Sequence, residues 1–412
     1  MQHLAIDLGS QESQLCIRDE AGAIVLERRV KTRSLRHHLR KRQKSRVVLE
    51  TCAEAFAVAD LALEIGHEVR VVPATLVRAL GVGARGIKTD VRDARVLSEA
   101  SMRMELPSVH VPSASSREGK AMCNARDVLV KLRTMAINAQ RGYLRTKVVK
   151  ITRGSSRTFP DRVAAALLKD NGAKNSSEQE PTRPTPSGTT EINEVGHARG
   201  LPSQASSKQA NDGHAAAAAT TKEDKKYPSV LSEHGFLPVF ADRLVCVAKQ
   251  LTEWIEQADQ ELNERVAPDP VCQRLMSIPG VGPVCATRFV TTLDSVGRFA
   301  GIEQMQSYLG LVPGEHQSGE KQRRTGMIKC GAAPARVALV QSAWCLYRLR
   351  KKDPMVLWAM EIEKRRGKKV AIAALARKLA TVMFVMWRDG TTYDPSRASR
   401  QNSKREEATA TS

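Results

Sequence analysis

The chain has 412 residues and a formal net charge of +21 at pH 7. This length allows two or three domains with substantial cores, and the excess of positive charge favours a polyanionic partner, nucleic acid first. The eight cysteines include no Cys-x-x-Cys pair, which argues against a zinc ribbon or a redox motif. The absence of a signal-like N-terminus and of a long uncharged apolar run predicts a cytoplasmic protein without a membrane anchor.

Residues 1–110 have the pattern of an α/β domain. The predicted elements are strands at 4–8, 14–18, 23–30 and 47–49, a helix at 53–65, a strand at 68–72, a helix at 76–80, a Gly-rich loop at 81–86 and a helix from Asp90, its N-cap, to about 104. A hairpin followed by alternating strands and helices is the order of an RNase H-like fold. We therefore predict such a domain at the N-terminus.

Four acids stand at positions that such a fold brings together. Asp7 ends the first strand, Glu50 ends the fourth, and Asp90 and Asp93 share one face of the following helix. Taken singly, Asp7 is explained as a turn residue and Glu50 as a solvated strand end. As a set, four converging carboxylates raise one another's pKa unless a cation neutralises them, and Mg²⁺ or Mn²⁺ prefers such oxygen ligands.

The segment 28–46 contains ten Lys or Arg and no acid. It is either a solvated basic loop or a track for a nucleic-acid backbone, and a neighbouring metal site favours the track. The residues selected as contacts are Arg40, Lys41, Arg42 and Lys44.

Two segments have the three-four apolar spacing of a coiled coil. The first is a long helix at 113–150, with a seam at Leu129, Leu132, Ala136, Ala139 and Tyr143. The second is a helix from about 236, with a seam at Leu237, Phe240, Leu244, Val247, Leu251, Trp254 and Ala258. They are typical of an antiparallel hairpin, a dimerisation element or both, or of two ordinary amphipathic helices. The segment between them, 170–226, is rich in Ser, Thr, Pro, Ala and Gly, which predicts disorder.

The C-terminal part contains two further motifs. Pro279-Gly-Val-Gly282 resembles a helix-hairpin-helix turn, in which Gly280 and Gly282 let backbone N–H groups approach a phosphate; a plain helix-helix turn is the alternative. Ser318 lies in a Gly-flanked loop before a basic segment. Four cations there, able to hold a scissile phosphate, are Lys321, Arg323, Arg324 and Lys329. The remaining sequence predicts a helix at 334–351, a second one after Asp353-Pro354 that ends at Arg366, and a third at 368–387. The third is mostly apolar and is predicted to be a core helix.

These motifs together resemble a known family. Ala5-Ile-Asp-Leu-Gly-Ser10, Val47-Val-Leu-Glu50 and Lys88-Thr-Asp-Val-Arg-Asp-Ala94 resemble the RuvC-like half of DEDD transposases of the insertion-sequence "one-ten" family, relatives of the Piv DNA invertase. Ile278-Pro-Gly-Val-Gly-Pro283, Gln317-Ser-Gly319 and Lys368-Lys-Val-Ala-Ile-Ala-Ala-Leu-Ala-Arg-Lys378 resemble its transposase half. The resemblance covers about 1–165 and 230–394 and leaves out 170–226 and the tail.

The resemblance implies a DNA recombinase that is guided by a bridge RNA and moves its own element. Its composite active site would join the acids Asp7, Glu50, Asp90 and Asp93, with bound Mg²⁺ or Mn²⁺, to a serine of another subunit. Ser318 is that serine, and Ser342 is its rival. The partners implied are element and target DNA, a structured guide RNA and further copies of the chain in a dimer or tetramer.

The predicted organisation has six parts: a RuvC-like domain (1–110), a first coiled-coil strand (111–169), a disordered insert (170–229), a second strand (230–268), a mainly helical transposase domain (269–394) and a disordered tail (395–412). Three other functions fit parts of the chain. A nuclease or junction resolvase would use the same acids with water, an actin-like ATPase would need a second phosphate loop that is missing here, and a helix-hairpin-helix protein would bind DNA without catalysis.

Overall fold

The computed structural model describes residues 1–79, 89–177, 239–318, 321–328 and 330–396. They form two compact units, one from Met1–Asn124 and Leu262–Ser412 and one from Ala125–Glu261. The Gly-rich loop, Lys329 and most of the segments predicted to be disordered lie outside the described residues.

The first unit contains a five-stranded mixed sheet in the order β3-β2-β1-β4-β5. Its strands are β1 (Gln2–Asp7), β2 (Glu12–Arg18), β3 (Ile24–Lys31), β4 (Ser45–Glu50) and β5 (Glu68–Val72). Strand β2 runs antiparallel to β1 and β3, whereas β4 lies parallel to both β1 and β5. This sheet confirms the predicted α/β domain and is consistent with an RNase H-like fold.

Helices cover both faces of the sheet, because side chains alternate along each strand. Leu4, Ile6 and Leu49 point to one face, where they pack with α2 (Ala55–Ile65). Ala5 and Val48 point to the other, where they pack with α3 (Ala74–Ala79) and α4 (Asp90–Arg103). Thr89, rather than the predicted Asp90, caps α4, since its hydroxyl accepts a hydrogen bond from the Arg92 N–H at 3.3 Å.

The basic segment 28–46 is partly helical. A 3₁₀ turn at Thr32–Ser34 leads into α1 (Leu35–Arg40). Leu35 and Leu39, one turn apart, are buried against the sheet and hold this helix in place. The many cations of the segment conceal this apolar pair, so the sequence does not predict the helix.

The second unit is built from α5 (Ala114–Thr146), α6 (Phe159–Ser177) and α7 (Val239–Val266), of which α5 and α7 extend beyond it. Arg126 contacts Asp259, Arg133 contacts Thr252 and Tyr143 contacts Phe240. Along these contacts the residue number on α5 rises while that on α7 falls, so the two helices run antiparallel. This is one of the predicted arrangements.

The predicted seam on α7 is buried only in part. Leu251 is buried and Leu244 is half-buried, whereas Phe240, Val247 and Trp254 are 56, 47 and 47 % exposed; Ala241, Val245 and Ala248 complete the buried face. The reason is α6, a helix that the sequence does not predict and that extends to Ser177, past the predicted start of disorder at 170. Its Phe159, Val163 and Leu167 pack with α5 and α7 and so determine which face of α7 is buried.

The remaining residues form a mainly helical region with its own core. Its elements are α8 (Pro270–Met276), α9 (Pro283–Leu293), a 3₁₀ turn (Val296–Arg298), α10 (Ile302–Tyr308), a hairpin of β6 (Pro313–Ser318) and β7 (Lys321–Met327), α11 (Ala333–Leu349), α12 (Pro354–Arg366) and α13 (Lys368–Asp389). By length and composition α13 passes as a membrane span, but Leu375, Leu379 and Met383 are buried in this core, as predicted for a core helix.

Candidate active site and nucleic-acid surfaces

Asp7 and Glu50 lie at the same edge of the sheet. Strands β1 and β4 are parallel neighbours with Ile6 opposite Leu49, and each acid is the next residue of its strand. Both side chains are half-buried. Because parallel strands end at a common edge, this register brings the two carboxylates into one neighbourhood, as the sequence predicts.

Helix α4 carries the other two acids, which have different surroundings. Asp93 is 2 % exposed on a helix that packs against β1, β2 and β4. Asp90, less than a turn earlier, is exposed, and its Oδ2 accepts a hydrogen bond from Arg29 Nη2 at 2.6 Å. The two acids of α4 therefore differ, since Asp93 is buried in the face that packs on the sheet whereas Asp90 is exposed.

The acids fit a divalent cation in chemistry but are not arranged around one here. Among the described residues, no three His, Cys, Asp or Glu side chains converge closely enough to hold a metal ion. Oxygen donors such as those of Asp7, Glu50 and Asp93 are nevertheless the ligands that Mg²⁺ prefers. Asp90 forms an ion pair with Arg29, a residue that the sequence motifs do not assign to the site.

A second arginine, also absent from the sequence predictions, fixes α4 on the sheet. Arg95 Nε and Nη2 each donate to the Glu27 carboxylate at 2.6 Å. These hydrogen bonds lower the pKa of Glu27. The pair joins α4 to β3 and thereby helps position Asp90 and Asp93. Glu27 stands immediately before the acid-free basic segment, which is the signal that could have identified it.

Ser318 is the last residue of β6 before the turn of the hairpin. In the backbone register it lies opposite Lys321, while Arg323 lies opposite His316. The sequence predicts a loop at Ser318, which is wrong because the residue belongs to a strand of the hairpin. This position at a strand end, beside a strand with three cations, keeps Ser318 a candidate nucleophile.

Ser342 lies in the core of the helical region. It lies on α11 and is 5 % exposed, and its side chain forms a hydrogen bond with the buried Cys285 thiol on α9. Burial raises the pKa of Cys285 to about 11. A hydroxyl enclosed in this way cannot reach a DNA phosphorus without opening the core, which favours Ser318 over its rival.

The two glycines of the Pro-Gly-Val-Gly turn differ. Gly280 has φ +89°, and a Cβ there would lie 2.9 Å from the Leu346 backbone N and 3.0 Å from the Ser342 backbone O. It therefore has a packing role against α11. Gly282 precedes α9 and has open space around it, so the predicted phosphate contact remains a prediction mainly for Gly282.

The predicted basic contacts lie at and just beyond the C-terminal end of α1. Arg40, Lys41 and Lys44 are exposed and Arg42 is half-buried. Within the described part of the chain, none of the four forms an ion pair. Uncompensated cations on one short segment are consistent with a polyanionic partner.

Comparison with known proteins finds two family matches. Residues 272–355 match the model described as "Transposase IS116/IS110/IS902 family", and residues 4–148 match a DEDD transposase model of the IS110 type. The chain is 25 % identical to the transposase for insertion sequence element IS1111A of Coxiella burnetii, over 95 % of this chain and 90 % of that protein. It is also 25 % identical to the transposase for IS1328 of Yersinia enterocolitica, over 95 % and 98 %.

Proposed function

Because the chain belongs to the IS116/IS110/IS902 family of transposases and has a DEDD domain at its N-terminus, we propose that it cuts and rejoins the DNA of its insertion sequence with Ser318 as nucleophile. The observation that carries the proposal is the placement of Asp7 and Glu50 at one sheet edge, with Asp93 buried on the helix packed there. The domain 1–110 would be the RuvC-like half of the active site.

The residues proposed to hold a divalent cation are Asp7, Glu50, Asp90 and Asp93. When bound, Mg²⁺ or Mn²⁺ supplies Lewis-acid stabilisation of negative charge on phosphoryl oxygens. Arg29 lies on β3, an edge strand of the sheet that β2 and β1 separate from β4, which carries Glu50. Because its guanidinium forms an ion pair with Asp90, Arg29 would compete with the cation for this carboxylate.

The proposed chemical step is an exchange of one phosphoester for another. The Ser318 oxygen loses its proton and forms a bond to phosphorus, while the bond from phosphorus to a deoxyribose oxygen breaks. The leaving deoxyribose oxygen takes up a proton, which balances the one lost by the serine hydroxyl. The number of phosphoester bonds is conserved, so the reverse exchange with a second DNA end rejoins the strand without ATP. Lys321, Arg323 and Arg324 would neutralise charge at the phosphate.

We propose that the serine and the acids come from different subunits of a dimer or tetramer. The exposed apolar side chains Val247 and Trp254, seven residues apart on α7, support such an assembly. So do Val128, Leu132 and Met135 on α5, which are likewise exposed at spacings of four and three. Two antiparallel helices with such stripes are suited to coiled-coil packing against a second copy.

The proposed nucleic-acid partners are element DNA, target DNA and a structured guide RNA. The uncompensated cations Arg40, Lys41 and Lys44 support backbone contacts that carry affinity but no sequence information. Base pairing with the RNA would then supply the choice of site. The turn at Gly282 is a further candidate for a DNA phosphate contact.

A plasmid recombination assay tests this function. Donor and target plasmids are incubated with wild type, Asp90→Ala, Ser318→Ala and, as a matched serine control, Ser342→Ala. We expect recombination by wild type and the Ser342→Ala control alone, and a covalent protein–DNA adduct that depends on Ser318. Normal recombination by Asp90→Ala and Ser318→Ala would overturn the site assignment.

The same assay separates the nuclease alternative. A nuclease or resolvase with water as nucleophile would still cut DNA as Ser318→Ala, would need the divalent cation, and would form no adduct. Loss of both cutting and adduct in Ser318→Ala supports the serine mechanism.

A further inference from the structure

The junction of α12 and α13 concentrates positive charge in residues that belong to none of the surfaces described above. α12 ends at Arg366 and α13 begins at Lys368, with Gly367 alone between them. The residues from 364 to 370 are all exposed. The cations of this projecting junction are Lys364, Arg365, Arg366, Lys368 and Lys369.

Helix α11 adds an aromatic ring and a sixth cation to the same surface. The Arg348 guanidinium lies 5.3 Å from the centroid of the Trp344 ring, and Lys368 Nζ lies 5.8 Å from it. Lys368 Nζ is also 5.1 Å from the Tyr347 ring. We call the six cations and Trp344 the basic corner.

Acidic side chains compensate the basic corner incompletely. Glu361 lies 2.8 Å from Lys364 Nζ, and Glu363 lies 3.9 Å from Lys368 Nζ. In the described ranges, no acid pairs with the remaining cations, which are Arg348, Arg365, Arg366 and Lys369. An excess of four positive charges is therefore exposed on one corner.

The position of these cations is unfavourable for the chain alone. Lys368 and Lys369 occupy the first turn of α13, where the positive end of the helix dipole disfavours a cation. Gly367 has φ +80° and offers no side-chain cap, and a Cβ there would have nothing within 4 Å. Open access to a helix end rich in cations suits an approaching anion.

We propose that the basic corner binds the phosphate backbone of a nucleic acid, independently of sequence. This inference rests on the proposed function and extends it to a surface with no assigned role. The shared chemistry is a chain of phosphates, borne by duplex DNA or by a folded RNA. Arg365, Arg366 and Lys369 make the contacts, because they are exposed and have no acidic partner among the described residues.

The test compares the salt dependence of binding. The triple variant Arg365→Gln/Arg366→Gln/Lys369→Gln is measured on a short DNA duplex and on an RNA hairpin at rising salt. The charge-preserving control is Arg365→Lys/Arg366→Lys/Lys369→Arg. A control with the same net charge as the triple variant removes three exposed cations of the second unit, Lys131, Arg145 and Lys147, by substitution to Gln.

We expect the slope of log K against log[salt] to become shallower by about 0.9 for each phosphate that is no longer neutralised, thus by roughly 2–3 for the triple variant. The charge-preserving control keeps the wild-type slope. A change on duplex or on RNA alone identifies the partner. A slope equal to that of the second-unit control on both ligands overturns the proposal. The measurement needs no strand transfer, so it remains informative if the Ser318 mechanism fails.

Discussion

His110 Nε2 and Asp294 Oδ2 lie 2.6 Å apart, although 184 positions separate them in the sequence. Asp294 also accepts hydrogen bonds from the Ser113 backbone N–H at 3.2 Å and from its hydroxyl at 2.6 Å. His110 and Ser113 precede α5, whereas Asp294 follows α9. The Asp294 carboxylate thus links the segment that connects the α/β domain to α5 with the helical region of the same unit.

Replacing Asp294 is expected to destabilise the first unit. Asp294→Ala removes several hydrogen bonds at a side chain that is 9 % exposed, which should lower the free energy of unfolding by about 2–3 kcal/mol. Asp294→Asn, which retains an acceptor oxygen, should lose less. Urea unfolding measures both, and equal stability of Asp294→Ala and wild type would contradict the role of this carboxylate.

The same carboxylate should make stability depend on pH. Burial raises the pKa of Asp294, but hydrogen bonds from Ser113, Ser116 and His110 outweigh burial and hold the pKa well below its usual range. A lowered pKa gives stability that is fully present above the unfolded value, near 3.9, and is lost as the pH falls through the folded value. The advantage of wild type over Asp294→Asn should therefore be full at pH 6 and shrink below pH 4.

Urea unfolding of wild type and Asp294→Asn at pH 6, 5, 4 and 3.5 measures this dependence. The pair is repeated with His110→Gln in both chains, because His110 contacts the same carboxylate. A stability difference that grows towards acid pH would show that the sign is wrong.

Arg29 and Asp90 provide a prediction about metal binding. If Arg29 competes with the cation for Asp90, Arg29→Gln should lower the Mg²⁺ concentration that gives half-maximal recombination. Since the pair is about half exposed, its strength is about 0.2–1 kcal/mol, which corresponds to roughly a 1.4- to 5-fold change. Arg103→Gln is the control, because Arg103 lies on α4, the helix that carries Asp90, but does not contact Asp90. A higher Mg²⁺ requirement in Arg29→Gln would instead make Arg29 a positioning residue.

Gly280 and Gly282 should respond differently to a methyl group. Gly280→Ala forces a Cβ against Leu346 and Ser342 at positive φ, which should cost about 2–4 kcal/mol of stability. Gly282→Ala meets open space and should change stability by no more than about 0.5 kcal/mol. If Gly282 approaches a phosphate, its variant instead loses DNA affinity. Thermal unfolding measures the stability of the two variants, and binding to a DNA duplex measures their affinity. Unchanged DNA affinity of Gly282→Ala would contradict a phosphate contact at Gly282.

The sequence predicts those features that depend on local pattern. Buried apolar runs predict β1 and β4, and with them the shared edge of Asp7 and Glu50. It fails where a distant element decides the outcome: α6 changes which face of α7 is buried, and Arg29 engages Asp90 from β3. Neither contact has a local signal, because the residues involved are far apart in the sequence, 61 positions in the case of Arg29 and Asp90. The Pro-Gly-Val-Gly motif predicts the turn at Gly280 but not its packing against α11.

The exposed stripe on α7 provides the last prediction, on assembly. Val247 and Trp254 are about half exposed, so Val247→Glu/Trp254→Glu should leave the fold intact while placing like charges in any interface that these residues form. Light scattering should show wild type as a dimer or larger and the double variant as a monomer, with similar thermal unfolding. Val337→Glu, at a comparably exposed apolar residue of α11, is the control. If the double variant keeps the mass of wild type, α7 is not the interface, and a composite active site must be assembled through another surface.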